Sequence, residues 1–406
     1  MNILFICDEY PPVKGGGIGS VTKIVAESLA KEGHSVYVYG CMLPTCAQPE
    51  KSQVNEVTIY RKVIFKNITT LFEAKNTYSR FAMSLMLRFH YFAYQARREL
   101  SLYFNDINKI IKENNIDLVE FPDYLTISEY CQGKVRLTFP KLNVPTIVRV
   151  HGSLSFLEYY KKGKIDKITK ENDLSLFNIG SNILAVSNFS KKFIESVLSL
   201  RKNIDVIYNP IDISNRNCEK STIENEVPTI VYVGKITESK GAFNLIKAFN
   251  LFSIEQPQYR LIMIGGGLIQ KAKELLNATV KERVTFTGFI SKNEIMSYIN
   301  NADFCVIPSW FENFSLAALE TMSCRKALIY TETASGKELI EDGVDGILVN
   351  PYEPIEIYKK MVFLAINSDL RETIADKART KIKHKFSTEV ITKSLLEYYH
   401  NAIDSF

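Results

Sequence analysis

The residues whose types and spacing most directly suggest chemistry are two lysines and two glutamates. Lys235 and Lys240 bracket a loop between a predicted strand at 229–233 and a predicted helix at 241–254. Fixed ammonium groups in such a loop can hold a diphosphate and stabilise the charge that it gains as a bond to it breaks. The alternative is that both lysines are solvated surface residues.

The two glutamates lie on either side of a predicted helix start. Glu312 follows a short apolar strand at 304–307, and Glu320 lies about a turn and a half into the helix that begins near Ser315. The unpaired amides of a helix start favour a phosphate, and ionised carboxylates accept hydrogen bonds from vicinal diols. This pattern predicts one carboxylate toward a sugar and one toward a ribose. The alternative is a helix cap and a solvated glutamate.

A glycine-rich loop, 15–19, lies between the first predicted strand, 2–7, and the first predicted helix, 21–32. Gly16 and Gly17 allow a ligand to approach the backbone closely, and the helix start favours an anion. A dinucleotide site would need G-x-G-x-x-G and a carboxylate at the end of the second strand. The sequence has neither, which disfavours NAD. A plain surface turn is the alternative interpretation.

The elements that must position these residues alternate between strand and helix in two series, as in parallel sheets with crossover helices. One series covers 1–212 and the other 230–386, and the polar stretch 213–229 is predicted to link them. A helix at about 387–406 is predicted to pack back on the first domain. We therefore predict an α/β protein of two Rossmann-like, doubly wound domains that face an interdomain cleft.

The predicted strands are short, mostly apolar runs. They are 2–7, 34–39, 116–121, 146–150, 182–186 and 203–207 in the first series, and 229–233, 260–264, 284–286, 304–307 and 327–330 in the second, after which only helices are predicted.

Composition excludes several classes of protein. The chain has 406 residues and a net charge of only +5, so no nucleic-acid partner is expected. Its seven cysteines are scattered without a CxxC pair, which indicates reduced thiols rather than disulfides or a zinc knuckle. The sequence shows neither an export signal nor an apolar run of about 18 residues. These features predict a cytoplasmic protein.

The motifs Lys235-x4-Lys240-Gly241 and Glu312-x7-Glu320 resemble the signature of glycosyltransferase family 4, whose members have the GT-B fold. The resemblance covers most of the chain, through GGI at 16–18, VHG at 150–152, VSNFS at 186–190, VIYNP at 206–210 and GVDGILV at 343–349. The sequence departs from the family's pattern at Arg325 and Ala327, where a glycine and a proline are usual.

The resemblance implies a retaining enzyme that uses a nucleoside diphosphate sugar, with a UDP-sugar favoured, and needs no metal or other cofactor. The chain also lacks the D-x-D of metal-dependent glycosyltransferases. By this resemblance Lys235 and Lys240 hold the diphosphate and Glu320 the ribose. The implied catalytic residues are Glu312, His151 and Lys240. The implied donor-binding residues are Gly16, Gly17, Lys235, Lys240, Glu312, Asn313, Phe314, Ser315, Leu316 and Glu320.

Two residues of the first domain are candidates beside these. His151 lies before Gly152 at a predicted strand end, and the family's pattern implies that it contacts the sugar or the acceptor. A hydrogen-bonded structural histidine is the alternative. Asp123 follows another predicted strand and is a candidate on the acceptor side, with a loop-capping role as the alternative.

The segment 78–104 combines aromatic and aliphatic residues with arginines. This composition suits peripheral contact between the first domain and an anionic membrane, where a lipid-linked acceptor could be reached. The favoured alternative is a pair of helices that cover the first sheet.

The implied function is transfer of a hexose-type sugar to a glycan or lipid-linked acceptor, in bacterial surface polysaccharide, lipopolysaccharide or glycolipid assembly. Two alternatives stay open. One is a nucleotide-sugar epimerase of the same fold, with His151 as its acid–base group. The other is a non-catalytic nucleotide-sugar-binding subunit of an envelope assembly complex.

Overall fold

A computed structural model of the protein describes residues 1–13, 16–42, 48–64, 84–85, 90–213 and 227–406. These residues divide into two compact units: unit 1, Met1–Pro210 with Ile391–Phe406, and unit 2, Ile211–Val390. Most of the predicted linker and much of the segment 78–104 lie outside the described residues. Among the helices of the described part, none has both the length and the apolar character needed to cross a bilayer.

Unit 1 is an α/β unit with one sheet. Its strands are β1 Asn2–Ile6, β2 Ser35–Met42, β3 Lys51–Val54, β4 Val57–Val63, β5 Leu118–Pro122, β6 Thr146–Val150, β7 Asn182–Ala185 and β8 Ile204–Val206. Its helices, within the described ranges, are α1 Gly17–Lys31, α2 Tyr91–Glu113, α3 Thr126–Cys131, α4 Leu154–Lys162, α5 Lys167–Phe177 and α6 Asn188–Ser196.

The sheet of unit 1 has the order β3-β4-β2-β1-β5-β6-β7-β8. Its strand pairs are parallel except β3 with β4, which form an antiparallel pair at one edge. The order of the parallel strands reverses between β1 and β5. Because ligands of doubly wound sheets bind outside the carboxyl ends of the strands at such a reversal, the loops after β1 and β5 flank the expected ligand position of this unit.

Unit 2 is also an α/β unit with one sheet. Its strands are β9 Thr229–Val233, β10 Arg260–Ile264, β11 Val284–Gly288, β12 Phe304–Ile307, β13 Ala327–Thr331 and β14 Ile347–Val349. Its α-helices are α7 Ala242–Glu255, α8 Ile269–Glu274, α9 Lys292–Asn300, α10 Leu316–Ser323, α11 Gly336–Leu339, α12 Pro354–Ile366 and α13 Ser368–Lys381. A 3₁₀-helix, Ala278–Arg283, precedes β11, and a π-helix, Ile382–Phe386, follows α13.

The sheet of unit 2 is parallel throughout, in the order β11-β10-β9-β12-β13-β14. Counted within the unit, this is the 3-2-1-4-5-6 order of dinucleotide-binding folds. Its strands are short runs of apolar residues, such as Thr-Ile-Val-Tyr-Val in β9, and helices cover both faces of such a sheet. The order reverses between β9 and β12, so the loops after these two strands flank the expected ligand position.

Helix α14, Thr388–Asp404, begins in unit 2 and is part of unit 1 from Ile391 onward. The Tyr399 hydroxyl donates to Glu120 Oε2 in β5 at 2.6 Å, although the two residues are 279 positions apart. Glu120 Oε1 lies 3.7 Å from Nη1 of Arg149, whose side chain is 1% exposed. The pKa of Glu120 is raised because burial outweighs the nearby Arg149 charge and this hydrogen bond. The C-terminal helix is thus attached to the core of unit 1.

The sequence prediction misses two parts of the sheets. Strands β3 and β4 were not predicted, and three of the four residues of β3 are exposed, which leaves the strand without an apolar pattern. Strand β14 lies where only helices were predicted, because it has just three residues. Helix α1 begins at Gly17, four residues earlier than predicted, because Gly17 and Gly19 are poor helix formers that give no signal of a helix start.

Candidate functional site

The lysine loop, residues 234–241, connects β9 to α7 at the sheet reversal of unit 2. The hydroxyl of the buried Tyr232 donates to the carbonyl oxygen of Lys235 at 2.8 Å. The carbonyl oxygen of Lys240, at 3.1 Å, is a second acceptor for the same proton. The N–H of Ile236 donates to the Gly266 carbonyl at 2.8 Å. The side chain of Lys235 is exposed. The backbone that carries both lysines is therefore fixed by β9 itself and by the loop after β10.

Gly241 joins the lysine loop to the glutamate loop, residues 308–315. It has a φ of +70°, and a Cβ atom added there would lie 1.8 Å from the Pro308 carbonyl oxygen. The N–H of Trp310 donates to the Ser239 carbonyl at 2.9 Å. The two loops thus touch through their backbones, which glycine alone permits at position 241.

The glutamate loop is also held from its other side, by the loop after β13. The Glu312 carbonyl accepts from the Ser335 hydroxyl at 2.9 Å and from the Ser335 N–H at 3.3 Å. The Thr333 hydroxyl donates to the Trp310 carbonyl at 2.7 Å. Phe314 is buried, and its ring lies 5.3 Å from that of Phe386. The backbone of this loop is therefore fixed at several points.

An ion pair joins the two loops. The ammonium of Lys240 lies 2.7 Å from Glu312 Oε1, and the side chains are 32% and 14% exposed. Burial, followed by the Glu312 charge, raises the pKa of the Tyr232 hydroxyl well above its ordinary value. A lysine ammonium has three donors and a carboxylate has several acceptor positions, so each partner keeps capacity for a ligand.

Helix α10 begins directly after the glutamate loop. Ser315 is its N-cap, and its hydroxyl accepts from the N–H of Ala318 at 3.4 Å. Helix geometry leaves the amides of the first residues, which start at Leu316, without partners inside the helix, and this favours an anion. Glu320 is buried and forms an ion pair with Lys292, the first residue of α9. Asn313 is half-buried in the same loop.

The structure therefore brings the predicted residues of unit 2 to one edge of one sheet. Three groups that the sequence did not indicate as functional lie there too: Lys292, the glycines of the loop 265–267, and the hydroxyl pair Thr333 and Ser335. Three consecutive glycines after a strand were a usable signal, because backbone must approach closely there. A Cβ atom on Gly265 would lie 2.1 Å from the Gly234 carbonyl oxygen.

In unit 1, His151 and Asp123 lie together. Asp123 is buried, and its carboxylate accepts from the N–H of His151 at 2.8 Å and from the N–H of Gly152 at 3.0 Å. Burial outweighs these hydrogen bonds and raises the pKa of Asp123 to about 7. The structure thus gives Asp123 the loop-capping role, and contact with an acceptor stays a prediction.

The imidazole of His151 has a pKa well below its ordinary value, first because of burial and then because of the Arg149 charge. It is therefore neutral near pH 7, with one donor and one acceptor nitrogen. Such a group suits a hydrogen bond to a hydroxyl better than an ionic contact.

Gly16 and Gly17 lie at the start of α1, also in unit 1. Gly16 is the N-cap, and its N–H donates to Glu9 Oε2 at 2.9 Å. A Cβ atom on Gly17 would have no neighbour within 4 Å among the described residues, whereas one on Gly19 would lie 2.0 Å from the Glu9 carbonyl oxygen. Gly19 is therefore required for packing, whereas a side chain at Gly17 would meet none of the described residues within 4 Å.

Two family descriptions match the chain. "Glycosyltransferase Family 4" matches residues 15–215 and "Glycosyl transferases group 1" matches residues 214–381. An uncharacterized glycosyltransferase of Methanocaldococcus jannaschii is 25% identical over 100% of this chain and 99% of its own. A relative from Campylobacter jejuni is 26% identical over 68% of this chain and 73% of its own. It is named N-acetylgalactosamine-N,N'-diacetylbacillosaminyl-diphospho-undecaprenol 4-alpha-N-acetylgalactosaminyltransferase.

Two solved structures resemble the whole chain. Sucrose-phosphate synthase from Thermosynechococcus elongatus superposes with a TM-score of 0.74 at 16% identity and covers 100% of both chains. Anabaena HepE, solved in complex with UDP and glucose, superposes with a TM-score of 0.69 at 17% identity and covers 98% of this chain and 99% of its own. The fold of the two units is thus that of GT-B glycosyltransferases.

Proposed function

Because the chain belongs to glycosyltransferase family 4, we propose that it transfers a hexose-type sugar from a nucleoside diphosphate sugar, with retention of anomeric configuration. The acceptor in this proposal is a glycan or a lipid-linked saccharide. The observation that carries the proposal is the Lys240–Glu312 ion pair at the sheet reversal of unit 2, beside the start of α10. The ion pair supplies a cation that can bind a diphosphate and a carboxylate that can accept hydrogen bonds from sugar hydroxyls. The start of α10 beside it supplies backbone amides that can bind a phosphate.

The donor that we favour is a UDP-sugar. Support comes from HepE, a structure of the same fold that holds UDP and glucose. In this assignment Lys235 and Lys240 bind the diphosphate, with the amides of residues 313–316 around it. Glu312 accepts hydrogen bonds from the transferred sugar, and Glu320 accepts them from the ribose. We assign Gly16 and Gly17 to close backbone approach and neutral His151 to a hydrogen bond with the sugar or acceptor.

For the reaction we propose front-face substitution. The bond between the anomeric carbon and the phosphate oxygen breaks, and the acceptor oxygen bonds to the same face of that carbon. The proton of the acceptor hydroxyl passes to the departing phosphate oxygen. Lys240 is oriented in advance by Glu312, so it stabilises the developing phosphate charge without rearranging. This scheme needs no metal and no other cofactor.

The acceptor and its setting are inferred from one of the relatives. The name of the Campylobacter jejuni relative gives it a diphospho-undecaprenol-linked substrate, which supports a lipid-linked acceptor and a place in bacterial surface glycan or glycolipid assembly. We propose a cytoplasmic location with peripheral contact at the membrane surface. The buried free cysteines Cys7, Cys41, Cys131, Cys305 and Cys324 support a reducing compartment.

The test is to incubate the protein with a panel of UDP-hexoses, with and without glycan or polyprenyl diphosphate saccharide acceptors. UDP release is measured, and proton NMR gives the anomeric configuration of the product. We expect acceptor-dependent UDP release and an α-linked product from an α-linked donor. A β-linked product would refute retention. An isomerised nucleotide sugar formed without acceptor would identify an epimerase, and donor binding without turnover would indicate a binding subunit.

A further inference from the structure

The loop after β1 lies within reach of a buried arginine on another strand. Arg61 belongs to β4 and is 7% exposed, and β2 lies between β4 and β1 in the sheet. Gly40 of β2 is the Cα partner of Arg61, so the two positions point to the same face. A Cβ atom on Gly40 would lie 2.3 Å from the Cys7 carbonyl oxygen. The loop after β1 therefore lies against β2 on the face to which the Arg61 side chain points.

The Arg61 guanidinium holds this loop by its carbonyl oxygens. Nη2 donates to the Pro11 carbonyl at 3.0 Å and to the Tyr10 carbonyl at 3.5 Å. Nη1 donates to the Ser52 hydroxyl of β3 at 3.2 Å. Burial lowers the pKa of Arg61, but a guanidinium stays charged near pH 7. Because these three partners are neutral, the fold places a buried cation on dipoles alone in order to join β3, β4 and the loop, although burial of a charge costs free energy.

The segment that Arg61 holds supports the start of α1. Glu9 Oε2 accepts from the Gly16 N–H at 2.9 Å. The Glu9 carbonyl oxygen would lie 2.0 Å from a Cβ atom on Gly19. Glu9 immediately precedes the two residues whose carbonyls Arg61 contacts, so a displacement of those carbonyls also displaces Glu9. Arg61 thus fixes, through Glu9, the backbone at the start of α1.

We propose that Arg61 is a positioning residue, which fixes the loop after β1 so that the start of α1 meets the donor correctly during transfer. This role rests on the proposed function, which assigns Gly16 and Gly17 to close approach to the donor. An arginine suits the role because its planar fork offers several fixed N–H donors, whereas a lysine ammonium is a compact point charge. Since the diphosphate is assigned to unit 2, loss of Arg61 lowers the rate of transfer and leaves UDP affinity unchanged.

The experiment compares the wild type with R61M, which loses the charge, and R61K, which keeps the charge without the fork. UDP release from the UDP-hexose that the wild type turns over gives kcat, and calorimetric titration gives UDP affinity. We expect R61M to lower kcat by roughly 10- to 100-fold, because a misplacement of about 1 Å can have that effect. UDP affinity stays that of the wild type, R61K has an intermediate kcat, and hydrogen exchange of peptides that cover 7–13 becomes faster in R61M.

The matched control is R283M. Arg283 in unit 2 also donates to two backbone carbonyls, those of Ser253 at 3.3 Å and Pro257 at 2.8 Å. It directly precedes β11 and so lies at the amino end of the sheet, opposite to the edge that carries the lysine loop. We expect R283M to lower the Tm and to keep the wild-type kcat, since its clamp supports no part of the site.

Each other outcome is decisive. Wild-type kcat in R61M overturns the positioning role, and so does an equal loss of kcat in R61M and R283M or unchanged exchange of the loop peptides in R61M. If R61M does not fold, R61K decides, because wild-type kcat in R61K shows that the fork is not needed. In all these cases the proposed function stands, since the wild type turns over donor. A wild-type protein that turns over no nucleoside diphosphate sugar overturns the proposed function together with this role.

Discussion

At the scale of single residues, Lys240 and Glu312 hold each other in place. They belong to loops that follow different strands, and their side chains meet at 2.7 Å. Each group is thereby oriented before a ligand arrives, which lowers the reorganisation needed when charge develops on a phosphate. The same pairing means that a change at one residue also alters the other.

We expect K240A to lower UDP affinity by about 10- to 100-fold, because hydrogen bonds to charged groups contribute about 1.5–3 kcal/mol. Calorimetric titration with UDP measures the effect. Lys247 is an exposed lysine on α7, so K247A is the matched control and keeps wild-type affinity. UDP affinity in K240A equal to that of the wild type would show that the diphosphate is bound elsewhere.

Asp123 gives a prediction about pH. Its pKa is 3.8 in the ordinary case and about 7 in the fold, so between these values the folded protein binds more protons than the unfolded one. The contribution of Asp123 to stability is therefore fully present below the ordinary pKa and lost as pH rises through about 7. Since D123N does not titrate, we expect the stability of the wild type to fall relative to D123N over this range.

Urea unfolding of both proteins at a series of pH values measures this difference. Asp173, whose pKa is also raised, to about 6, is present in both proteins, and its charge contributes to the raised pKa of Asp123. Parallel curves for the two proteins would contradict the raised pKa of Asp123.

The types and spacing of Lys235, Lys240, Glu312 and Glu320 were readable from the sequence, because the loops and the helix start that carry them follow strands that the sequence also predicts. The partner of Glu320 was not readable. Lys292 reaches it from the start of another helix, and only the folded positions of α9 and α10 bring the two together. The loop-capping role of Asp123 likewise depends on backbone amides of a neighbouring strand end.

At the scale of elements, the lysine loop depends on the absence of a side chain at position 241. Gly241 combines a φ of +70° with contact to the Pro308 carbonyl oxygen, so both conformation and space exclude other residues. Any side chain there must separate the lysine loop from the glutamate loop.

We expect G241A to lower the free energy of unfolding by about 2 kcal/mol or more, from left-handed strain and overpacking together. UDP affinity falls as well, since the two loops move apart. The control is G343A, because Gly343 has a similar φ of +73° but no neighbour within 4 Å among the described residues. Thermal melting and UDP titration of both variants make the comparison, and equal stability losses would argue against the role of the close contact.

At the scale of elements, the sequence predicts a strand best where both faces of that strand are covered by helices. Strands β6, β9, β10 and β12 have the bounds that the sequence predicts, because a short apolar run between polar loops leaves few choices. Strands β3 and β14 were missed because β3 is mostly exposed and β14 has only three residues, whereas β4 has an alternation of buried residues that the prediction overlooked.

At the scale of the whole molecule, the C-terminal helix completes unit 1. Tyr399 donates to a glutamate that is otherwise paired with a buried arginine. Removal of that donor leaves a carboxylate oxygen of Glu120 without this partner in the core. Unit 1 therefore depends on residues from both ends of the chain.

We expect Y399F to destabilise unit 1 by about 1–3 kcal/mol, the penalty for a buried acceptor that loses its hydrogen bond. Hydrogen exchange of peptides that cover β5 and β6 measures the effect and becomes faster. Y398F is the matched control, because the Tyr398 hydroxyl donates a longer hydrogen bond, 3.3 Å, to the Ile183 carbonyl. If the hydrogen-exchange rates of these peptides were the same in Y399F and in the wild type, the hydrogen bond from Tyr399 would contribute nothing to the stability of unit 1.

The ends of unit 2 lie side by side. The Ile211 N–H donates to the Phe386 carbonyl at 2.9 Å, and the Thr388 N–H donates to the Ile211 carbonyl at 3.2 Å. The chain thus enters and leaves unit 2 at nearly one point, the arrangement in which domain insertions are tolerated. Unit 2 is therefore a segment of the chain whose two junctions are adjacent. On the proposed function, we expect a relative's unit 2, grafted between these junctions, to bring its own donor specificity while unit 1 keeps its fold.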